Sequence, residues 1–219
     1  MLNYLTENTS VELICFFTAL VFLISEKKIA WLGMIVYLII MCSAEFSAIY
    51  LVKRHHYNQW PYNISIVFEA SFISLMFYSL FNKYVKSKPV ILTGLALLLC
   101  MYVYDVSDHH FLLFKDITHD TLNDKTNNAM SILFSLYALY YYYLLIKDDS
   151  YINLRHSAGF WWVTGVLFFY FGSTAINFFR RELNSDLPED ITTILIWMIY
   201  CCWSYSFICR RWEIKTSVA

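Results

Sequence analysis

Carboxylates and a histidine occur within or directly beside strongly apolar stretches of this chain, where ionisable side chains are unusual. Glu45 lies in MCSAEFSAIY and Glu69 lies in IVFEASFIS, while Asp105, Asp108 and His109 follow the apolar run LTGLALLLCMYVY. An ionisable group inside hydrocarbon costs at least a few kcal/mol unless it is paired, hydrated or bound to a metal. Several such groups at one depth therefore predict a shared polar cavity.

Two interpretations of Glu45 and Glu69 are open from the sequence. Each carboxyl can be protonated, or hydrogen-bonded to a neighbouring Ser, Tyr or Arg, and then it only fixes the register of its helix. Alternatively, the two carboxyls act as counter-ions for a ligand amine, as proton sites or as metal ligands, because intramembrane ionisable residues commonly serve a function.

Asp105, Asp108 and His109 are spaced i, i+3, i+4, which places them on one face of a helix that continues through its last turn. A divalent metal site is one interpretation, since Asp and His one turn apart can share an ion. A closed zinc site needs three or four ligands, so Glu45, Glu69 or another helix must supply the rest. A hydrated helix end explains the same charges without a metal.

Membrane-spanning helices must position these residues. Of the 219 residues, 59% are hydrophobic, 20% are aromatic and only 15% are charged. Hydrocarbon about 30 Å thick needs roughly 20 apolar residues per helix. We therefore predict an all-α polytopic membrane protein with a single domain over 1–219, whose function resides in the bundle and its loops. The predicted seven-transmembrane-helix bundle has spans at 5–25, 29–52, 62–83, 89–109, 126–147, 158–180 and 189–209.

Lys and Arg residues divide unevenly between the two sides of this topology. Of the 16, ten lie on the side of the C-terminal tail and six lie on the other side. Because positive charge favours the cytoplasmic side, we predict an outside N-terminus and a cytoplasmic C-terminus. The lipid bilayer is the expected partner, and the formal net charge of -1 gives no reason to expect nucleic acid.

With this orientation, the polar residues share one depth. Glu45 is seven residues before the outer end of its span and Glu69 is seven residues after the outer start of the next, so each lies roughly 10 Å below the outer surface. Asn177 and Arg180 close the sixth span on the same side. The sequence thus predicts an outward-facing polar vestibule, with Glu45, Glu69, Asn177 and Arg180 as its ligand-binding candidates.

Several familiar functions of seven-helix proteins do not fit the chain. The segment 189–209 has no lysine to form a Schiff base, so retinal is not expected as a cofactor. It also lacks the histidine pair used by membrane hydrolases of the ceramidase and adiponectin-receptor type. No helix interior contains proline and no internal repeat is clear, whereas transporters commonly show broken helices and repeated halves.

Three sequence blocks resemble a family of seven-helix membrane proteins common in Bacteroidetes. The blocks are AEFSAIY, WPYNISIVFEASFISLMFY and HSAGFWWVTGVLFFYFGSTAINFF, and the last is the most specific. The resemblance implies a seven-helix topology and a bacterial inner-membrane location. It supplies no activity, and the acidic, His-rich end of the fourth span is not part of it.

Three functions remain as hypotheses. The first is a non-enzymatic sensory or ligand-binding module that acts with a cytoplasmic signalling protein. We favour it because the predicted polar vestibule lies on one side of the membrane only. The second is a metal-dependent intramembrane hydrolase, with Asp105, Asp108 and His109 holding the ion and Glu45 or Glu69 as general base. The third is a small proton-coupled transporter in which the two glutamates titrate. Any of the three is compatible with a homo-oligomer.

Overall fold

The computed structural model describes residues 6–56, 58–108, 124–148, 153–179 and 187–218. These residues form seven α-helices, with no β-strand among them, and the predicted all-α class is confirmed for them. A 3-10 turn, Leu154–His156, precedes the sixth helix. The helices are α1 (Glu7–Leu23), α2 (Ile29–Lys53), α3 (Gln59–Phe81), α4 (Lys88–Asp108), α5 (Asp124–Lys147), α6 (Ala158–Phe179) and α7 (Leu187–Val218).

Six helices, α2 to α7, are long and apolar enough to cross a membrane. They indicate a multi-pass membrane protein, as the composition predicts. The remaining helix, α1, has 17 residues, which is at the lower limit of the roughly 17–25 residues that span hydrocarbon. Helix α1 packs against α2 and α7. It buries Cys15, Ala19 and Leu23 completely.

The start of α1, the start of α3 and the end of α7 each have an identifiable physical cause. The Oγ1 atom of Thr6 accepts a hydrogen bond from the backbone N–H of Thr9 at 3.1 Å, which caps α1. Helix α3 begins at Gln59, so Pro61 lies in its first turn, where a missing N–H costs no intrahelical bond. Helix α7 continues past the predicted end at 209 as far as Val218. Arg210 forms ion pairs in the polar turns after residue 209. The apolar pattern of the sequence does not predict that these turns are helical.

Helix α7 lies between α1 and α6, and its approach to α6 is close. At Gly165 of α6, a Cβ would lie 3.0 Å from the Cβ of Cys202 and 3.2 Å from the carbonyl oxygen of Ile199. A small residue at this position lets the two backbones meet.

Aromatic side chains fill the middle of the bundle. Trp162 of α6 and Trp203 of α7 stack with ring centroids 5.8 Å apart, and Trp203 Nε1 donates to the carbonyl oxygen of Trp162 at 3.3 Å. Phe77 of α3 meets Trp162 edge to face at 5.3 Å. These rings are buried, and Trp203 belongs both to this core and to a cavity between the helices.

Candidate ligand-binding cavity

A cavity of about 330 Å³ lies between six of the helices, and only α4 contributes nothing to its described lining. Its acidic residues are Glu12 of α1, Glu45 of α2 and Glu69 of α3. Short connections make successive helices antiparallel, which brings the first half of α1 beside the second half of α2. A volume of this size suits a small organic molecule.

Glu45 is held by a tyrosine of the next helix. The hydroxyl of Tyr62, in the first turn of α3, donates to Glu45 Oε2 at 2.6 Å. Both side chains are half-buried and both line the cavity. The sequence predicted that Glu45 and Glu69 lie at one depth, and the structure places both on the wall of the same cavity.

Glu69 is held by a tyrosine from a distant part of the chain. The hydroxyl of Tyr170, on α6, donates to Glu69 Oε1. Tyr170 is only 1% exposed and packs edge to face against Phe134 at 5.2 Å. The hydroxyl is therefore fixed by the aromatic core, and it leaves one carboxylate oxygen of Glu69 without a tyrosine donor.

Glu12 differs from the other two acids. Its side chain is 5% exposed, and its Oε1 atom has no hydrogen-bond partner among the described residues. The side chains of Cys42 and Tyr200 lie beside the carboxyl. One turn earlier on α1, Asn8 lines the same cavity, and within the described part of the chain its Oδ1 also has no partner. Glu12 and Asn8, each with a buried oxygen atom that lacks a partner among the described residues, thus line the same cavity.

An aromatic corner of Tyr37, Tyr200 and Trp203 forms part of the cavity wall. Trp203 meets Tyr37 edge to face at 5.7 Å and meets Tyr200 in the same way at 5.9 Å. Tyr37 and Trp203 are buried, and Tyr200 is half-buried. These rings give the cavity flat apolar surfaces and an electron-rich face for a positively charged group.

Asp105, the one proposed metal ligand whose side chain the structure describes, does not belong to the described lining of this cavity. Asp105 is fully buried and its Oδ2 accepts hydrogen bonds from the backbone N–H and the hydroxyl of Thr126, both at 2.7 Å. Asp105 therefore caps the start of α5 from α4. The side chain of Asp108 and the whole of His109 lie outside the described residues. Among the described residues, no group of three or more His, Cys, Asp or Glu could hold a metal ion.

Asn177, another predicted ligand-binding residue, does not belong to the described lining either. Asn177 is exposed near the end of α6, and its Nδ2 donates to Oδ1 of Asn128 at 2.6 Å, which ties α6 to the start of α5. The neighbouring Asn127 does line the cavity. Arg180 lies outside the residues that the structure describes.

Sequence reasoning missed Glu12 and the tyrosine partners as members of the site. Glu12 lies just before the uninterrupted apolar stretch that begins at Leu13, so it resembles an ordinary charge at a helix end. Its position one turn after Asn8 on the same helix face is a weak signal in retrospect. Tyr62 and Tyr170 carry no signal, because the chain contains 18 tyrosines.

A cluster of charged residues connects helices at the end of the bundle away from the cavity. Arg210 of α7 donates to Glu26 at 2.6 Å and to Glu213 at 2.9 Å. Glu213 also accepts the backbone N–H of Ala158 at 2.9 Å, which caps α6. Burial of Glu26 raises the pKa of its carboxyl, but hydrogen bonds from Arg210 and two backbone N–H groups outweigh this effect and lower the pKa from its ordinary value of 4.5.

No protein-family model matches the chain, and comparisons with curated proteins and with solved structures found no significant match. A function must therefore be argued from the geometry and chemistry of the site.

Proposed function

We propose that the protein is a multi-pass membrane ligand-binding module of the sensory type. The cavity of about 330 Å³ supports this proposal, because it gathers Glu45, Glu69 and Glu12 from three helices against one aromatic wall. Ligand sites are typically concave, mostly apolar and lined by a few polar groups that orient the ligand. This cavity has each of those properties.

The proposed topology has seven spans in a bacterial inner membrane, with α1 as the first and the cavity in the outer half. The packing of α1 against α2 and α7 supports its inclusion, and the bias of Lys and Arg supports the orientation. Membership of the Bacteroidetes family that the chain resembles remains part of this proposal. Alkaline phosphatase and green fluorescent protein fused in turn after Ala219 test the orientation, since only the second reporter is active on a cytoplasmic end.

Helix α7 offers a route from the cavity to the cytoplasmic side. It carries Tyr200 on the cavity wall and Arg210 in the charged cluster, ten residues and about 15 Å further along one continuous helix. A ligand that moves Tyr200 would displace Arg210 relative to Glu26 and Glu213. A cytoplasmic partner that contacts this end would sense the displacement.

Cavity-blocking variants test the proposal even though the ligand is unidentified. A library of small molecules is screened for saturable thermal stabilisation of the full chain in nanodiscs. Ile196→Trp fills the cavity, while Ile194→Trp, at an exposed position on the same helix, is the matched control. We expect hits that stabilise the wild type and Ile194→Trp by about 2.7 kcal/mol at one hundred times the Kd, and that lose this effect in Ile196→Trp.

Two results would contradict the proposal. If the hits stabilise Ile196→Trp as much as the wild type, they bind outside the cavity. If a broad library yields no saturable hit, the cavity is not a ligand-binding site. The two alternatives predict other results: the hydrolase requires stoichiometric metal in the native protein, and the transporter requires a proton-coupled flux in vesicles that Glu69→Gln abolishes.

A further inference from the structure

The described lining of the cavity is unbalanced in charge. It contains three carboxyls and no Lys, Arg or His among the described residues. Carboxyls removed from water need a proton, hydrogen-bond donors or a positive charge. The way each carboxyl meets this need therefore indicates what the cavity binds.

Two of the carboxyls have a tyrosine donor from another helix, and Cys42 and Tyr200 lie beside the third, Glu12. Tyr62 donates to Glu45, and Tyr170 donates to Glu69. Glu12 has a buried oxygen without a partner in the described chain, and so has Asn8 one turn away. Both residues line the cavity, and a rotation of each side chain would present its buried oxygen to a donor that enters from inside it.

The arrangement fits an organic cation better than a metal ion. No group of three His, Cys, Asp or Glu within the described residues converges tightly enough to hold a metal. An ammonium group has at most three N–H donors, so it needs fewer acceptors than a metal ion needs ligands. Glu12 and Asn8 can share these donors. Its carbon skeleton can then occupy the remaining volume.

The aromatic corner supplies the second half of such a site. Tyr37, Tyr200 and Trp203 line the same cavity as Glu12. A cation is attracted by the negative faces of aromatic rings, and more strongly when it is desolvated. Carboxylate and rings together therefore favour a positive group carried on an apolar body.

We infer that the cavity binds a compact organic cation, with its ammonium group on Glu12 and Asn8 and its apolar body against Tyr37, Tyr200 and Trp203. This inference rests on the proposed function, because it names the ligand class of the same cavity. The inference specifies a positively charged ligand and Glu12 as the residue whose charge anchors it.

Matched pairs of probes test the inference on the full chain in nanodiscs. The amines are benzylamine, phenethylamine and tryptamine, and the neutral counterparts are benzyl alcohol, 2-phenylethanol and tryptophol; phenylacetate is the anion. Affinities are measured by calorimetry. We expect at least one amine to bind about tenfold more tightly than its alcohol, since a hydrogen bond between charged groups is stronger than one between neutral groups, and we expect no binding of phenylacetate.

Variants assign this preference to Glu12. Glu12→Gln keeps the side-chain shape and should reduce the preference for the amine to near unity while the alcohol's affinity stays unchanged. Glu7→Gln is the control, because Glu7 is an exposed carboxyl on the same helix and does not line the cavity. It should bind every probe as the wild type does. Thermal unfolding of both variants verifies that they are folded.

The outcomes separate the inference from the proposed function. If an alcohol binds as tightly as its amine, or phenylacetate binds better, the cavity binds ligands but the cation assignment is wrong. The same conclusion follows if no amine binds while the library screen yields neutral or anionic ligands. If Glu12→Gln retains the full preference, the anchoring residue is wrong. Only the absence of any saturable ligand in the library screen overturns both proposals.

Discussion

Glu69 on α3 accepts a hydrogen bond from Tyr170 on α6, 101 residues further along the chain. This bond joins two helices at the level of the cavity, and the rest of Tyr170 is packed into the aromatic core. It therefore fixes the position of one cavity carboxyl relative to α6.

A double-mutant cycle measures this bond. Glu69→Ala and Tyr170→Phe should each destabilise the protein, and the double variant should show a coupling energy of about 0.6–1.7 kcal/mol, the average and the maximum for hydrogen bonds between membrane helices. Reversible unfolding in mixed detergent micelles provides the free energies. Tyr143→Phe is the control, because Tyr143 is 58% exposed. A coupling energy of zero would show that the bond does not tie α3 to α6.

Asp105 is expected to act as the cap of α5. Asp105→Ala should cost about 1–2 kcal/mol of unfolding free energy, since it leaves the N–H and hydroxyl of Thr126 without their acceptor. Thr126→Val should cost less, because it keeps the backbone bond. Elemental analysis of the native protein accompanies the measurement. Stoichiometric metal that is lost in Asp105→Ala would instead assign Asp105 to a metal site.

Arg210 should be the most sensitive residue of the charged cluster. Arg210→Ala leaves the carboxyls of Glu26 and Glu213 without their shared cation, and breaking a buried pair from one side costs about 3–5 kcal/mol. Arg211→Ala is the matched control, because the neighbouring side chain is more exposed and should cost less than about 1 kcal/mol. Equal losses for the two variants would contradict a special role of the cluster.

Glu26 should make stability dependent on pH in the acid range. Its pKa is lowered in the folded protein, so its stabilising contribution is complete above the ordinary pKa of 4.5 and is lost as the pH falls through the lowered value. Unfolding free energies between neutral pH and pH 3 should therefore decline less steeply in Glu26→Gln than in the wild type. Parallel pH profiles would show that Glu26 does not contribute to this dependence.

Apolar periodicity and composition are enough to locate the helices of this protein. The predicted segments overlap all seven observed helices, and the apolar pattern fails mainly at the polar end of α7. That end stays helical because Arg210 bridges two carboxyls, one of which lies 184 residues away along the chain. Hydropathy is a local quantity and cannot register such a contact.

The sequence alone predicts one depth for Glu45 and Glu69, because residues advance by a fixed rise along a helix. The direction in which each side chain points, and the residue it meets, were decided only by the tertiary structure. Tertiary packing sets the rotation of each helix about its own axis, and that rotation paired Glu69 with Tyr170, turned Asp105 toward Thr126 and left Glu12 on the cavity wall. No spacing rule within one helix contains this information.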